Sequence, residues 1–403
     1  MAEIAEVLFV DGVRTPFGRA GEKGMYWQTR ADDLAVKAII GLLERNPRVP
    51  KDRIDEVAIA ATTQQGDQGL TLGRTAALLA GLPRSVPGFA IDRMCAGAMT
   101  SVTTTGSGIA FGAYDLVIAG GVEHMGRHPM GFNADPNPRF MSEKLVAAEA
   151  LNMGSTAERI HDRFPALTKE RSDRFAFRSQ QKVAAAYAAA KIQPDLIPVA
   201  IRSAAGWGLA TVDEAPRPET TMEGLAALRT PFRAHGRVTA GNSSGLNDGA
   251  TACLLASGET ARELGLTAKM RLVSFAFAGV EPEVMGLGPV PSTEKALRKA
   301  GLAITDIGLF ELNEAFAVQV LSFLDHFGID DEDPRVNEYG GAIALGHPLA
   351  SSGVRLMNQL ARQFGDHPEV RYGLTAMCVG LGQGGSVIWE NPNWAGSKSK
   401  GRK

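Results

Sequence analysis

Short apolar runs alternate with longer stretches in which apolar positions recur every three or four residues, most clearly at the two ends of the chain. In the first part this pattern predicts a strand at 7–10, a turn at Pro16, a helix over 31–44, a strand at 57–61, a helix over 72–80, a short strand at 88–91, a helix opened by Cys95, and a strand at 116–119. A similar order returns later. It runs as a strand at 271–277, a helix with Ser292 as N-cap and Gly301 as its stop, a strand at 307–311, a helix over 314–325, a strand at 335–337, a helix after a loop at His347, and a hairpin over 373–390. Strands alternating with helices predict an α/β protein with a mostly parallel sheet.

The two parts also match locally. I-D-E-V-A-I (54–59) and I-T-D-I-G-L (304–309) each follow an amphipathic helix and enter a strand, and Cys95 and His347 each follow a strand and a turn and precede a helix. This points to an internal duplication of one α/β unit. Between the parts, over 125–247, the pattern changes to proline-rich turns (Pro129, Pro136, Pro138), a capping box at Ser155 and Glu158, a charged helix over 169–191, and a loop-rich segment with Pro216 and Pro218. It reads as an insertion, mainly helical and irregular, of the kind that covers an active site.

A length of 403 residues fits two or three domains with a large core, and 44% hydrophobic with 21% charged residues is the composition of a soluble globular protein. The net charge of −2 leaves no broad basic field for nucleic acid or an acidic membrane surface. No apolar run approaches the roughly 18 residues a spanning helix needs, and the first residues carry acids where a secretory signal carries positive charge. The three cysteines, Cys95, Cys253 and Cys378, are odd in number and far apart, which fits reduced thiols and a cytoplasmic setting. The basic end, 393–403, reads as a disordered tail.

Chemistry concentrates in three glycine-rich segments: I-D-R-M-C-A-G-A-M (91–99), G-G-A-I-A-L-G-H-P (340–348) and M-C-V-G-L-G-Q-G-G (377–385). Cys95 at a helix N-terminus is placed to have its pKa lowered and to act as a nucleophile, although a buried packing cysteine fits the same residues. His347, between Gly346 and Pro348, is a candidate base, although a capping or core histidine fits the same place, and the N–H groups after Cys378 offer a nest for an oxyanion. The literal G-x-G-x-x-G at Gly380, Gly382 and Gly385 leads into a strand, so a dinucleotide site is rejected and no nucleotide redox cofactor is expected. His124 and His128 stand four apart, but Gly126 and Pro129 argue against a helix there, and no metal is expected.

Taken together, these segments make the chain resemble the thiolases. The resemblance runs from V-D-G-V-R-T-P-F-G (10–18) through G-G-V-E-H-M (120–125), M-G-S-T-A-E (153–158), V-T-A-G-N-S-S-G-L-N-D-G-A (238–250), G-P-V-P-S (288–292) and F-E-L-N-E-A-F-A (310–317) to G-L-G-Q-G-G (380–385). It implies the thiolase fold, two similar βαβαβαββ halves in a five-layered αβαβα arrangement with an inserted loop domain. The corresponding domains are 1–124 plus 248–270, the coenzyme A-binding insertion 125–247, and 271–392.

The resemblance further implies that Cys95 takes up an acyl group with help from His347, that Cys378 handles the proton on carbon, and that Asn313 positions a water. The N–H groups of Cys95 and Gly380 would form an oxyanion hole. Ser244 and Arg217 would contact coenzyme A, with Met153 and Met285 lining the acyl pocket. The implied partners are acyl-CoA and CoA, a second or fourth copy of the chain in a homodimer or homotetramer, and a hydratase/dehydrogenase subunit. The implied reaction is cleavage of 3-ketoacyl-CoA in fatty-acid oxidation. Alternatives are synthesis of acetoacetyl-CoA from two acetyl-CoA molecules, a decarboxylating synthase, against which Cys378 argues, and a non-catalytic acyl-CoA-binding or scaffolding subunit. Departures from the family pattern are Asp92, Gly97, Glu338, Tyr339 and Ala350, which bear on the shape of the acyl pocket.

Overall fold

The computed structural model describes residues 4–131, 133–203 and 206–396. One half orders its strands as Val7–Arg14, Asn247–Ser257, Leu116–His124, Glu56–Ala60 and Gly88–Ile91, with pairings antiparallel, antiparallel, parallel and parallel. The other orders Met270–Gly279, Gln383–Glu390, Tyr372–Val379 and Ile307–Leu312 with the same directions, and closes with a parallel bridge from Phe310 to Val336. The halves are copies of one topology, and the sheet is mixed, not mostly parallel as expected: only the outer strands of each half pair parallel. They join where Leu8 and Phe9 pair antiparallel with Arg271 and Met270.

Three apolar clusters divide the layers. The first packs helices Ala31–Arg45 and Leu72–Leu79 on the outer face of one sheet, and the second packs Pro289–Ala300 and Ala317–Phe327 on the outer face of the other. Between the sheets lie Gly97–Phe111 and Ser352–Asp366. Burying both faces of both sheets gives the five layers. The two central helices are buried along most of their length and approach closely: a Cβ on Gly353 would stand 2.5 Å from the Met99 backbone nitrogen.

Several boundaries differ from the pattern. Val7–Arg14 runs past Val10 because its polar residues are paired: Asp11 accepts from Arg45 and Lys269, and Arg14 clasps Asp213. Leu116–His124 runs past Ala119 because buried Glu123 accepts from the Thr62 N–H and from Gln68. Ser292 is not an N-cap: the helix begins at Pro289, and the Ser292 hydroxyl is buried against Ser386. Gly301 does end it, in the left-handed conformation.

The helix expected from Glu314 starts at Ala317, since the Glu314 carboxylate is drawn inward to Ser179 and Asn337. The expected strand at 335–337 is a single bridge. Ser155 does not cap the helix Met153–Arg163. Asn152 does, accepting the Ser155 N–H, while Glu158 instead receives the N–H groups of Arg237 and Val238.

The segment between the halves carries helices Met153–Arg163 and Lys169–Ala188 and a hairpin of Val199–Ser203 with Gly206–Ala210. Residues 397–403 of the basic tail lie outside the described residues, whereas Trp394 is stacked by Arg371. Among the described residues no helix is long and apolar enough to cross a membrane.

Candidate active site

Cys95 stands in the short turn Met94–Ala96 that opens helix Gly97–Phe111. Met94 is held at φ 44°, a left-handed conformation costly for a residue with a side chain, and Asp92 Oδ1 accepts its N–H at 2.6 Å. The turn presents the Cys95 sulfur to its own N–H and to that of Gly380. Burial nonetheless pushes the thiol up to about 11. The expected lowering at a helix N-terminus is overturned, because exclusion of water disfavours the thiolate more than two N–H groups favour it.

His347 follows Gly346, whose φ of 102° turns the chain into the site. Its N–H is received by Asn247 Oδ1 at 3.0 Å, and its Nδ1 lies 2.6 Å from Ser352 Oγ on the first turn of the second central helix. With Nδ1–H donated to Ser352, Nε2 keeps its lone pair. Burial first, and the nearby Arg355 second, lower its pKa to about 3. The resting site therefore holds a neutral thiol and a neutral imidazole.

Asn313, just beyond strand Ile307–Leu312, brings Nδ2 to 3.3 Å from His347 Nε2. Cys378 lies near the end of strand Tyr372–Val379, fully buried, its pKa raised by burial and then by Cys95, which makes the two sulfurs electrostatic neighbours. The following turn places Leu381 and Gly382 in left-handed conformations, and a Cβ on Gly382 would stand 2.3 Å from Val280 O. At Gly380 a Cβ would lie 2.6 Å from Met94 Sδ and 3.7 Å from Met153 Sδ. Met153 thus borders the site, while Met285 is a buried member of the core cluster that contains Cys378.

A cavity of about 620 Å³ is lined by Arg217, Leu228, Ser243, Leu246, Asn247 and Ile343 among others, but not by Cys95, His347, Asn313 or Cys378. Asn247 is common to the cavity and to the His347 contact. Arg217 is exposed, its N–H tied to Gln180 Oε1 and its guanidinium unpaired with any carboxylate among the described residues. Ser244 sits between lining residues, its N–H donated to Ala315 O. Its backbone fixes the loop beside strand Ile307–Leu312.

Residues the pattern did not single out complete the site: Met94, Asn247, Ser352 and Arg355. The S-S-G following His347 and the N-D-G opening a strand carry Ser352 and Asn247, but which atom each turns toward His347 is not a property of those strings. His124 and His128 are taken up elsewhere: His124 Nε2 donates to Tyr26 O, and His128 contacts Asp67. Cys253 is buried in the central core.

Residues 7–259 match the thiolase N-terminal domain and 266–391 the thiolase C-terminal domain. The chain is 43% identical over 405 residues to the 3-oxoadipyl-CoA/3-oxo-5,6-dehydrosuberyl-CoA thiolase of Escherichia coli (strain K12), covering 96% of this chain and 99% of the relative. It is 43% identical over 389 residues to the 3-ketoacyl-CoA thiolase of Aliivibrio salmonicida (strain LFI1238), covering 96% and 99%. The human mitochondrial 3-ketoacyl-CoA thiolase structure superposes with a TM-score of 0.87 at 32% identity, covering 97% of this chain and 100% of that one. Matching in sequence and fold from end to end, the chain belongs to the thiolase family.

Proposed function

We propose that this protein cleaves 3-ketoacyl-CoA with free CoA, giving acetyl-CoA and a shortened acyl-CoA. The observation that supports this reading is the convergence of Cys95 with the Gly380 N–H and Cys378, and of Asn313 on His347 at 3.3 Å, with Asn247 shared between the His347 loop and a 620 Å³ cavity edged by Arg217. His347 Nε2 accepts the thiol proton as Cys95 Sγ attacks the 3-keto carbon. Because both groups rest neutral, that transfer accompanies the attack instead of preceding it. The bond between the second and third acyl carbons then breaks, its electron pair leaves as the acetyl-CoA enolate, and Cys378 supplies the proton that quenches it. CoA–SH next loses its proton to the Cys378 thiolate and attacks the acyl-enzyme, and Cys95 leaves as a thiolate that takes back the proton held on His347.

Each charge has a partner at its moment of formation: the N–H groups of Cys95 and Gly380 for one oxyanion, and a water positioned by Asn313 together with protonated His347 for the other. The insertion 125–247 holds CoA, with Arg217 facing its phosphates, Ser244 its pantetheine arm, and Met153 and Met285 on the acyl side. The domains divide as 1–124 plus 248–270, 125–247 and 271–392, and the working assembly is a homodimer or homotetramer in the cytoplasm. Running backwards, the same groups join acetyl-CoA to an acyl-CoA, which is the union of two acetyl-CoA molecules when the acyl group is acetyl.

The test is CoA-dependent cleavage across straight-chain 3-ketoacyl-CoAs, with 3-oxoadipyl-CoA and acetoacetyl-CoA in the same panel. Cleavage of the straight-chain series supports the reading. Activity confined to 3-oxoadipyl-CoA or to acetyl-CoA condensation replaces the substrate, and no acetyl adduct on Cys95 after exposure to acetyl-CoA removes the mechanism.

A further inference from the structure

Behind Asn313 lies a fully buried arginine that none of the chemistry above uses. Arg355, one turn into the helix Ser352–Asp366, has no solvent access. Its Nη2 donates to Asn313 Oδ1 at 2.9 Å and its Nη1 to Gln359 Oε1 at 2.7 Å, while Gln359 Nε2 donates onward to Gly340 O at 3.1 Å. The Glu311 carboxylate, at the strand end that leads to Asn313, stands 3.6 Å away. Gln363 donates to the other Glu311 oxygen at 2.7 Å.

An asparagine amide presents a donor on one side and an acceptor on the other, and beside an Nε2 that is bare at rest and protonated during the reaction it has reason to turn either way. Guanidinium has five donors and no acceptor. Seated on Oδ1, Arg355 forbids the flipped amide, because turning would set NH2 against its own N–H. The reacting side of Asn313 then shows N–H and never C=O. A reversed amide would aim a carbonyl at the position where negative charge develops and would repel it.

We infer that Arg355 is a positioning residue for the thiolase reaction, acting through Asn313: it fixes the amide so that Nδ2 faces His347 and the oxyanion side, while Gln359 accepts from the guanidinium and the Glu311 carboxylate stands 3.6 Å from it without a hydrogen bond. A purely structural Arg355–Glu311 pair is the competing account. Replacing both partners of a buried pair with apolar residues is commonly tolerated in stability, whereas removing one is not. That difference separates the two accounts.

The inference rests on the thiolase reading, so wild-type cleavage of a 3-ketoacyl-CoA and acetylation of Cys95 are measured first. Their absence would defeat the reading itself. With wild-type activity in hand, Arg355→Met is made with Glu311→Leu to keep the fold, and melting is followed beside kinetics. The expected result is a fold near wild-type stability with kcat lowered about 10²-fold, the scale of one lost oxyanion donor, KM within about twofold as expected for an interaction absent from the ground state, and unchanged alkylation of Cys95. Placed in an Asn313→Ala background, the Arg355 change should cost little more, because the residue it orients is gone. Wild-type kcat in the folded double variant, or losses that multiply with Asn313→Ala, would overturn the inference. Arg355→Lys, which keeps charge but not the planar fork, should recover only part of kcat. Full recovery would assign the effect to charge alone and overturn it too.

Discussion

Asn247 Oδ1 receives the backbone N–H of His347 at 3.0 Å, and Asn247 Nδ2 donates to Gly18 O at 3.0 Å, so one side chain ties the base loop to the first strand's turn. A Cβ on Gly346 would stand 2.6 Å from this side chain, which is why the loop passes so near. Asn247→Ala leaves the His347 N–H buried without a partner and should cost about 1–3 kcal/mol. Cys95 acylation should slow while CoA binding persists. Denaturant melts and single-turnover acylation check this, and unchanged acylation would remove Asn247 from the site's support.

Cys95 held at about 11 beside His347 held at about 3 makes the pH response distinctive. Alkylation of Cys95 by iodoacetamide should climb steadily through pH 8–10, with no plateau at neutral pH. A plateau below pH 8 would mean a thiolate–imidazolium pair instead.

The same histidine predicts the direction of acid instability. Its pKa falls from 6.5 to about 3 on folding, so between these values the unfolded chain binds more protons, and stability drops as pH falls from 6.5 toward 3. Above 6.5 its contribution is complete. His347→Gln should flatten this part of the stability–pH curve, measured by denaturant midpoints. An unchanged slope would contradict the burial argument.

Cys378→Ala should leave acetylation of Cys95 by acetyl-CoA largely intact, because the first step needs no base at carbon. Condensation and cleavage should both fail. Intact-mass spectra paired with turnover assays decide, and equal loss of acylation would merge the two cysteines' roles.

Gly97 and Ala350 meet in space. A Cβ on Gly97 would lie 3.0 Å from the Ala350 Cβ and 2.7 Å from that of Ala60, so the missing side chain at one place makes room for the added methyl at the other. Gly97→Ala should destabilise by about 1–3 kcal/mol through overpacking, with part regained in Gly97→Ala/Ala350→Gly. Additive losses in the double variant would disprove the compensation.

How much was legible follows from these contacts. The chain itself determines the layered α/β architecture, because apolar runs need burial on both faces and the repeat of one pattern gives two copies of one topology. It also singles out Cys95, His347 and Cys378 as candidates, because reactive side chains within glycine-rich turns are rare and local. Strand ends at Arg14 and His124 were not legible, since Asp11, Arg14 and Glu123 look polar until their distant partners are known. The Cys95 pKa went the other way from its local helix end because desolvation is a property of everything around the sulfur. Ser352, Asn247 and Arg355 became site residues only when the tertiary structure brought together atoms far apart in the chain, such as the 100-residue span from Asn247 to His347. Local sequence sets which groups can react, and packing over long separations sets their protonation, orientation and neighbours.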